Sequence, residues 1–416
     1  MGRRSLSLAM AAGVLLAGVA AVPAHANTPV ACSDTALIQA INDSNAGLND
    51  HILDLTTYCL YTLTDADQSL PTITQPLTVH GHNATIRRDP NATTDFRIFE
   101  VGATSLTMDT LTVMNGSDPG DGGGLLADAG TTVSLTDVNF SGNHAGVHGG
   151  AILSGNGVNL TMQRGTVSDN RSDTDAAGVE MVGNATTGTA SFTGVTFTRN
   201  RAGNEGGAIT VAGRAVTTIA DSTISNNTAK ATGGGIAMTN PAGGVNVTIS
   251  GSTIADNRVA QSTGGGGGME VRGNAGTITV SNSVISGNVV TGFTTPGVAG
   301  SGGGIVKQGT APVTLDNTQV IKNSVVGAQG QGGGIAILQG SLNLTNGTLV
   351  TGNLGSGRYS LGGGLYSDDS LGATTVSVDA SSINANKVTG TGSVSGGIYN
   401  SGGTVSLTNS SVNNNV

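Results

Sequence analysis

Apolar and polar positions alternate along most of the chain, as in Val245-Asn246-Val247-Thr248-Ile249. A period of two residues predicts β-strand. The strands are punctuated regularly. An apolar-x-x-Asn tetrad recurs ten times, closing at Asn143, Asn170, Asn200, Asn227, Asn257, Asn288, Asn323, Asn353, Asn386 and Asn415. Successive asparagines are mostly 27 to 31 residues apart, with longer gaps before Asn323 and Asn386. A second signal keeps step with the first: two or three small residues, usually Gly, then an apolar one. Gly149-Gly150-Ala151-Ile152 and Gly233-Gly234-Gly235-Ile236 are good copies, and Ala176-Ala177-Gly178-Val179 is the weak one.

A repeat of about 30 residues is too short for a four-stranded propeller blade and suits one coil of three short strands and three turns. Stacked coils pair each strand with its copy about 4.8 Å away. Inward Val, Ile and Leu then stack, and an Asn held in register at a bend forms an amide ladder. The Gly runs mark places where the backbone needs positive φ or where a Cβ would strike the next coil. The predicted fold is an all-β parallel β-helix. Length variation, as in Val289 to Gly302, is expected to bulge from the turns. Leu37, Ile38 and Ile41 suit a short amphipathic helix from Asp34 to Asn45 that caps the N-terminal end of the stack.

Composition narrows the class. Gly is 68 of 416 residues, charged residues are 10% and Trp is absent. Helix formers are too scarce for a helical solenoid, and Gly lacks the three-residue period of collagen. Residues 1–26 read as a signal peptide: Arg3 and Arg4, an apolar stretch from Leu6 to Val22, then Ala24-His25-Ala26 as a cleavage site. Arg3-Arg4-Ser5-Leu6 is compatible with twin-arginine as well as general export. The expected organisation is a signal peptide over 1–26, a cap segment over 27–64 and a repeat domain over 65–416. The whole chain carries a net charge of −9, which becomes about −11 once Arg3 and Arg4 are removed. That argues against nucleic acid and anionic lipid surfaces as partners, and against tight binding of a polyanion such as pectate unless metal ions mediate it. In an oxidising compartment the two cysteines, Cys32 and Cys59, are expected to form one disulfide.

Phe140-Ser141-Gly142-Asn143 with Gly149-Gly150-Ala151-Ile152 resembles the paired FxxN and GGA(I/L/V) motifs of the polymorphic outer-membrane protein repeat. Phe197 to Asn200 with Gly206 to Ile209 is a second copy. Ala31-Cys32-Ser33 with Leu37 and Ala40-Ile41 resembles, in degenerate form, the CSLREAI-type segment that opens many secreted bacterial β-helix proteins. The resemblance covers nearly the whole mature chain. It implies a right-handed, pectin-lyase-like solenoid. Adhesins, autotransporter passengers and polysaccharide lyases and hydrolases share that fold, so the fold does not choose a function.

Aligned on the apolar residue after the glycines, the coils place Asp121, His148, Asp175 and Glu205 at one register, followed by Thr232 and Gly265. Asp118, His144 and Asp173 lie in the same turns. Such a stripe suits Ca²⁺ through its carboxylates, or a transition metal through His144 and His148. It also suits an acid/base pair for glycosidic cleavage. A plain polar edge is the competing reading, since Asp is common in turns. Ser367-Asp368-Asp369-Ser370 resembles the paired aspartates of polygalacturonases, without that family's His-Gly and Arg-x-Lys motifs, and reads as a turn. Arg87-Arg88 is a basic pair away from the stripe. Tyr366 and Tyr399 share a register and form a candidate outer binding patch.

The sequence therefore points to a secreted or cell-surface structural, adhesin-like β-helix, with a polysaccharide lyase or hydrolase as the alternative. No cofactor is called for beyond Ca²⁺ at the stripe. Extracellular or cell-wall polysaccharides and surface proteins are the expected partners.

Overall fold

A computed structural model describes residues 27–65, 69–183, 187–213, 215–239, 244–260, 264–293 and 299–416. The expected signal peptide and the centre of the longest turn, 294–298, lie outside them. The chain winds as a parallel β-helix. Each coil runs through three faces. Among the described residues sheet 1 holds 22 strand segments, sheet 2 holds ten short strands that follow the asparagines, and sheet 3 holds eleven strands, all but Phe99–Val101 directly after the small-residue runs. The eleven rungs of sheet 3 make a stack roughly 50 Å long at about 4.8 Å per rung. Among the described residues no helix is long and apolar enough to cross a membrane.

The predicted register holds residue by residue. In sheet 3, Leu125 pairs with Ile152, Ile152 with Val179, Val179 with Ile209 and Ile209 with Ile236. These side chains are fully buried and form one aliphatic column. Burying each is worth roughly 2 kcal/mol.

The asparagine ladder is complete from Asn143 to Asn415. Each Nδ2 donates to the next coil's Oδ1 at 2.9–3.0 Å. Each asparagine backbone N–H donates to that same oxygen at 2.9–3.1 Å. The second Nδ2 hydrogen goes back to a carbonyl of the coil before, as from Asn257 to Ile224. Every polar atom of a buried amide is thus used.

Both expected roles of glycine occur. Gly149 sits at φ +63°, and a Cβ on Gly150 would lie 2.3 Å from the Arg171 carbonyl oxygen. Ala176, in the weak copy, takes φ +49° without being Gly, a strained choice for a residue with a Cβ.

The helix α1 spans Asp34–Asn45, as predicted, with Ser33 Oγ accepting from the Ala36 amide at its N-cap. It buries Leu37, Ala40 and Ile41 against the first coils. The strand Thr28–Val30 pairs with Ile52–Leu55, so the segment carrying the cap also supplies the first rungs of sheet 1. Cys32 and Cys59 form a disulfide with Cα atoms 5.6 Å apart, across 27 residues. Closing such a loop stabilises by about 3 kcal/mol. Under reduction, or in Cys32→Ser/Cys59→Ser, limited proteolysis is expected to cut first between residues 31 and 60 while the ladder region persists. Equal protection of that loop in both redox states would refute its anchoring role.

Candidate functional site

The turn between sheets 2 and 3 carries the polar column, and the backbone keeps it in step. His148 bridges Asp175 and Glu205 bridges Thr232. The Gly122 amide donates to His148 O, and the Ala176 amide to Glu205 O. The side chains consequently meet rather than splay. Asp121 Oδ1 accepts from the His148 backbone N–H at 3.0 Å and lies 3.1 Å from His148 Nδ1. His148 Nε2 is 4.0 Å from Asp175 Oδ2. Asp175 Oδ1 accepts from the Glu205 amide at 3.0 Å and from Asn204 Nδ2 at 2.8 Å.

Beneath this ridge lies the outer face of sheet 3. In strands of the form Ile152–Ser154 the first and third residues point into the core and the middle one points out, under the turn. Among the described residues three middle positions are glutamates; Glu100, in Phe99–Val101, is part-exposed and paired with Arg97, and the other two are enclosed. Glu180, in Val179–Gly183, is 4% exposed, and Glu270, in Met269–Val271, is fully buried. Glu180 Oε2 and Thr210 Oγ1, neighbours in register, have no hydrogen-bond partner among the described residues. Burial pushes the Glu180 carboxyl up to about 8, and the charges of Asp175, Asp121 and Glu205 push the same way. Burial pushes Glu270 up to about 7, against the pull of Arg272.

Arg272 straps these groups together. Its Nη2 donates to Glu270 Oε2 at 2.9 Å, to Thr232 Oγ1 at 3.2 Å and to Glu205 Oε1. Its Nε lies 2.8 Å from Glu270 Oε1 but off the alignment of a hydrogen bond, so the Nη2 contact is the directional one. Sequence reasoning found the ridge and missed Glu180, Glu270 and Arg272.

The other candidates separate. Asp118 pairs with Arg97 at 3.0 Å, and His144 Nε2 lies 3.3 Å from Asp173, which also takes Arg171 at 2.7 Å. Among the described residues no three His, Cys, Asp or Glu side chains form a group able to hold a metal ion. Arg88 is spent on the Thr94 and Ala92 carbonyls and on Asp95, and Arg87 on Thr62 Oγ1. Asp368 Oδ1 accepts from the Ser370 amide, which is the turn expected there. Tyr366 and Tyr399 stack with centroids 5.8 Å apart and planes 3° from parallel. Tyr366 is 3% exposed, enclosed by Val306, Ala336, Leu361 and Tyr399, and its hydroxyl donates to Asp368 Oδ2 at 2.6 Å. It therefore serves the packing of the late coils and offers no open ring face.

The chain matches the family described as a right handed beta helix region over residues 123–320. No curated protein and no solved structure matches it. With this match and the coil geometry above, the chain is a right-handed parallel β-helix protein.

Proposed function

We propose that this chain is an exported, surface-displayed β-helix rod, related to proteins of the polymorphic outer-membrane repeat type, that engages extracellular polysaccharide or surface proteins by adhesion. The observation that carries the reading is the unbroken ladder from Asn143 to Asn415, behind a disulfide-tied cap. A rod so uniformly satisfied is rigid, and rigidity suits display at a distance from an attachment point. The disulfide fits an oxidising compartment, and residues 1–26 supply the export signal. Expression of the full chain in a bacterial host tests this. The product is expected outside the cytoplasm with Asn27 as its first residue. Retention in the cytoplasm with residues 1–26 attached would refute it.

One observation favours a second reading, glycosidic-bond cleavage. Glu180 is a carboxyl held protonated near neutral pH beside Asp175 and Glu205, the mixture of acid and carboxylate that such cleavage uses. Incubation with a panel of polysaccharides, with and without Ca²⁺, decides between them. Products that vanish in Glu180→Gln, Asp175→Ala and Glu205→Ala would establish the enzyme. Intact polysaccharide throughout would leave the adhesive rod.

A further inference from the structure

Sheet 2 carries a second, oppositely charged feature. The first residue of each of its strands points outward, while the second, such as Ala145, Ala202 or Val259, is buried. In consecutive rungs the outward positions are His144, Arg171, Arg201, Thr228 and Arg258, paired in direct register. Lys230 follows two residues after Thr228. Two adjoining hollows of about 320 and 390 Å³ lie here, and they share Arg201, Gly203 and Lys230. The floor is bare backbone at Gly203, where a Cβ would lie 2.0 Å from the Asp173 carbonyl oxygen. The side chains of Arg201 and Lys230 make no hydrogen bond or ion pair with any described residue, and both residues are exposed. Their neighbour Arg171 is engaged by Asp173 at 2.7 Å. On sheet 1, by contrast, Arg164 is paired with Asp137 and Arg199 with Asp169. In a chain of net charge −9, these two unpaired cations stand side by side in a concavity.

We propose that this trough is a binding site for a linear glycan bearing carboxylate or sulfate groups. The guanidinium of Arg201 suits bidentate capture of such a group, and Lys230 adds a point charge beside it. Rungs about 4.8 Å apart repeat the cationic positions along the rod, which matches a polymer with recurring charges better than a single small anion. Asp173 and the Thr228 hydroxyl offer acceptors to sugar hydroxyls between the anionic groups. Nucleic acid fits poorly. No aromatic ring lines either hollow to stack a base. The site holds no carboxyl pair free for acid/base chemistry, so it binds without cleaving, on a different sheet from the Glu180 ridge. The proposal rests on the chain being displayed where such glycans occur.

The test uses the purified, folded full chain with four immobilised probes: polygalacturonate, chondroitin sulfate, neutral dextran and single-stranded DNA. Binding to one or both acidic glycans is expected, weakening with salt, and the two arms tell carboxylate from sulfate preference. Arg201→Ala/Lys230→Ala is expected to lose at least tenfold in affinity, with an unchanged circular dichroism spectrum. Arg164→Ala, a paired arginine on sheet 1, is expected to bind like the parent. Equal or tighter binding of DNA or dextran, no glycan binding, or full affinity in the double variant would each overturn the proposal. Cytoplasmic retention of a chain that still binds glycan would sink the display reading and leave the trough standing.

Discussion

Asn257→Ala is expected to destabilise the middle coils by about 4 kcal/mol, since each buried polar group left without a partner costs roughly 1–3 kcal/mol. Asn257 Oδ1 accepts from both the backbone N–H and Nδ2 of Asn227, and its own Nδ2 serves the Ile224 carbonyl and Asn288 Oδ1. Alanine ends all four bonds inside a fully buried turn. Asn415→Ala removes fewer bonds at a partly exposed position, and its cost is expected to be well below half as large. Urea unfolding gives the difference. Hydrogen exchange gives its location, with the Asn227 amide, which loses its acceptor, expected to lose the most protection. A cost for Asn257→Ala under about 1 kcal/mol would mean that the ladder decorates the turn rather than holding it.

The second large effect is a pH dependence centred on Glu180. Its carboxyl titrates near 8 in the folded chain and near 4.5 when exposed. Between those values the folded chain keeps a proton that the unfolded chain has released. Stability from this group is therefore complete below about pH 4.5, falls as pH rises, and is gone above about pH 8. At about 1.4 kcal/mol per pKa unit the swing amounts to several kcal/mol. Glu180→Gln keeps the shape and removes the titration. Its unfolding midpoint is expected to match the parent's near pH 4.5 and to exceed it increasingly toward pH 8. Glu270 contributes a similar slope over a narrower range, so the variant flattens the profile without levelling it. Lys307 works the other way, but burial lowers it only to about 8 and its effect falls above that pH. Parallel profiles for parent and variant from pH 5 to 8 would show Glu180 to be ionised in the folded chain.

The coil register was legible because one residue type recurs at one place. The turn uses both donors and the acceptor of an amide, so ten successive coils repeat it, and in the coil before them Gly116 holds the place and donates only its backbone N–H. A second ladder escaped notice for the opposite reason. Val195 N donates to Ser222 Oγ, Ser222 N to Ser252 Oγ, Ser252 N to Ser283 Oγ and Thr318 N to Thr348 Oγ1, at the bend within sheet 1. Either hydroxyl serves there, and Ser and Thr are everywhere in the chain, so the pattern sinks into its background.

Glu180 and Glu270 had a visible signal, an apolar-Glu-apolar strand directly after the glycines. The meaning of that signal depended on the turn folding over the strand, which periodicity does not reveal. The contact of Arg272 with Glu205 joins residues 67 positions apart and needs the stack itself. The trough was present in the sequence as Asn170-Arg171, Asn200-Arg201 and Asn257-Arg258. A net charge summed over the whole chain concealed it, because opposite signs occupy different faces.

The in-step ladder has a consequence for how such a chain can change over generations. Each coil meets only the coils before and after it, and every junction between coils is chemically alike. Removing residues 324–353 would join Asn323 to Leu354, hand the Asn323 amide on to Asn386, and shorten the rod by about 4.8 Å. Both charged features would remain untouched at the other end. Reach is thus heritable as a count of copies: recombination between like segments can lengthen or trim it in whole rungs.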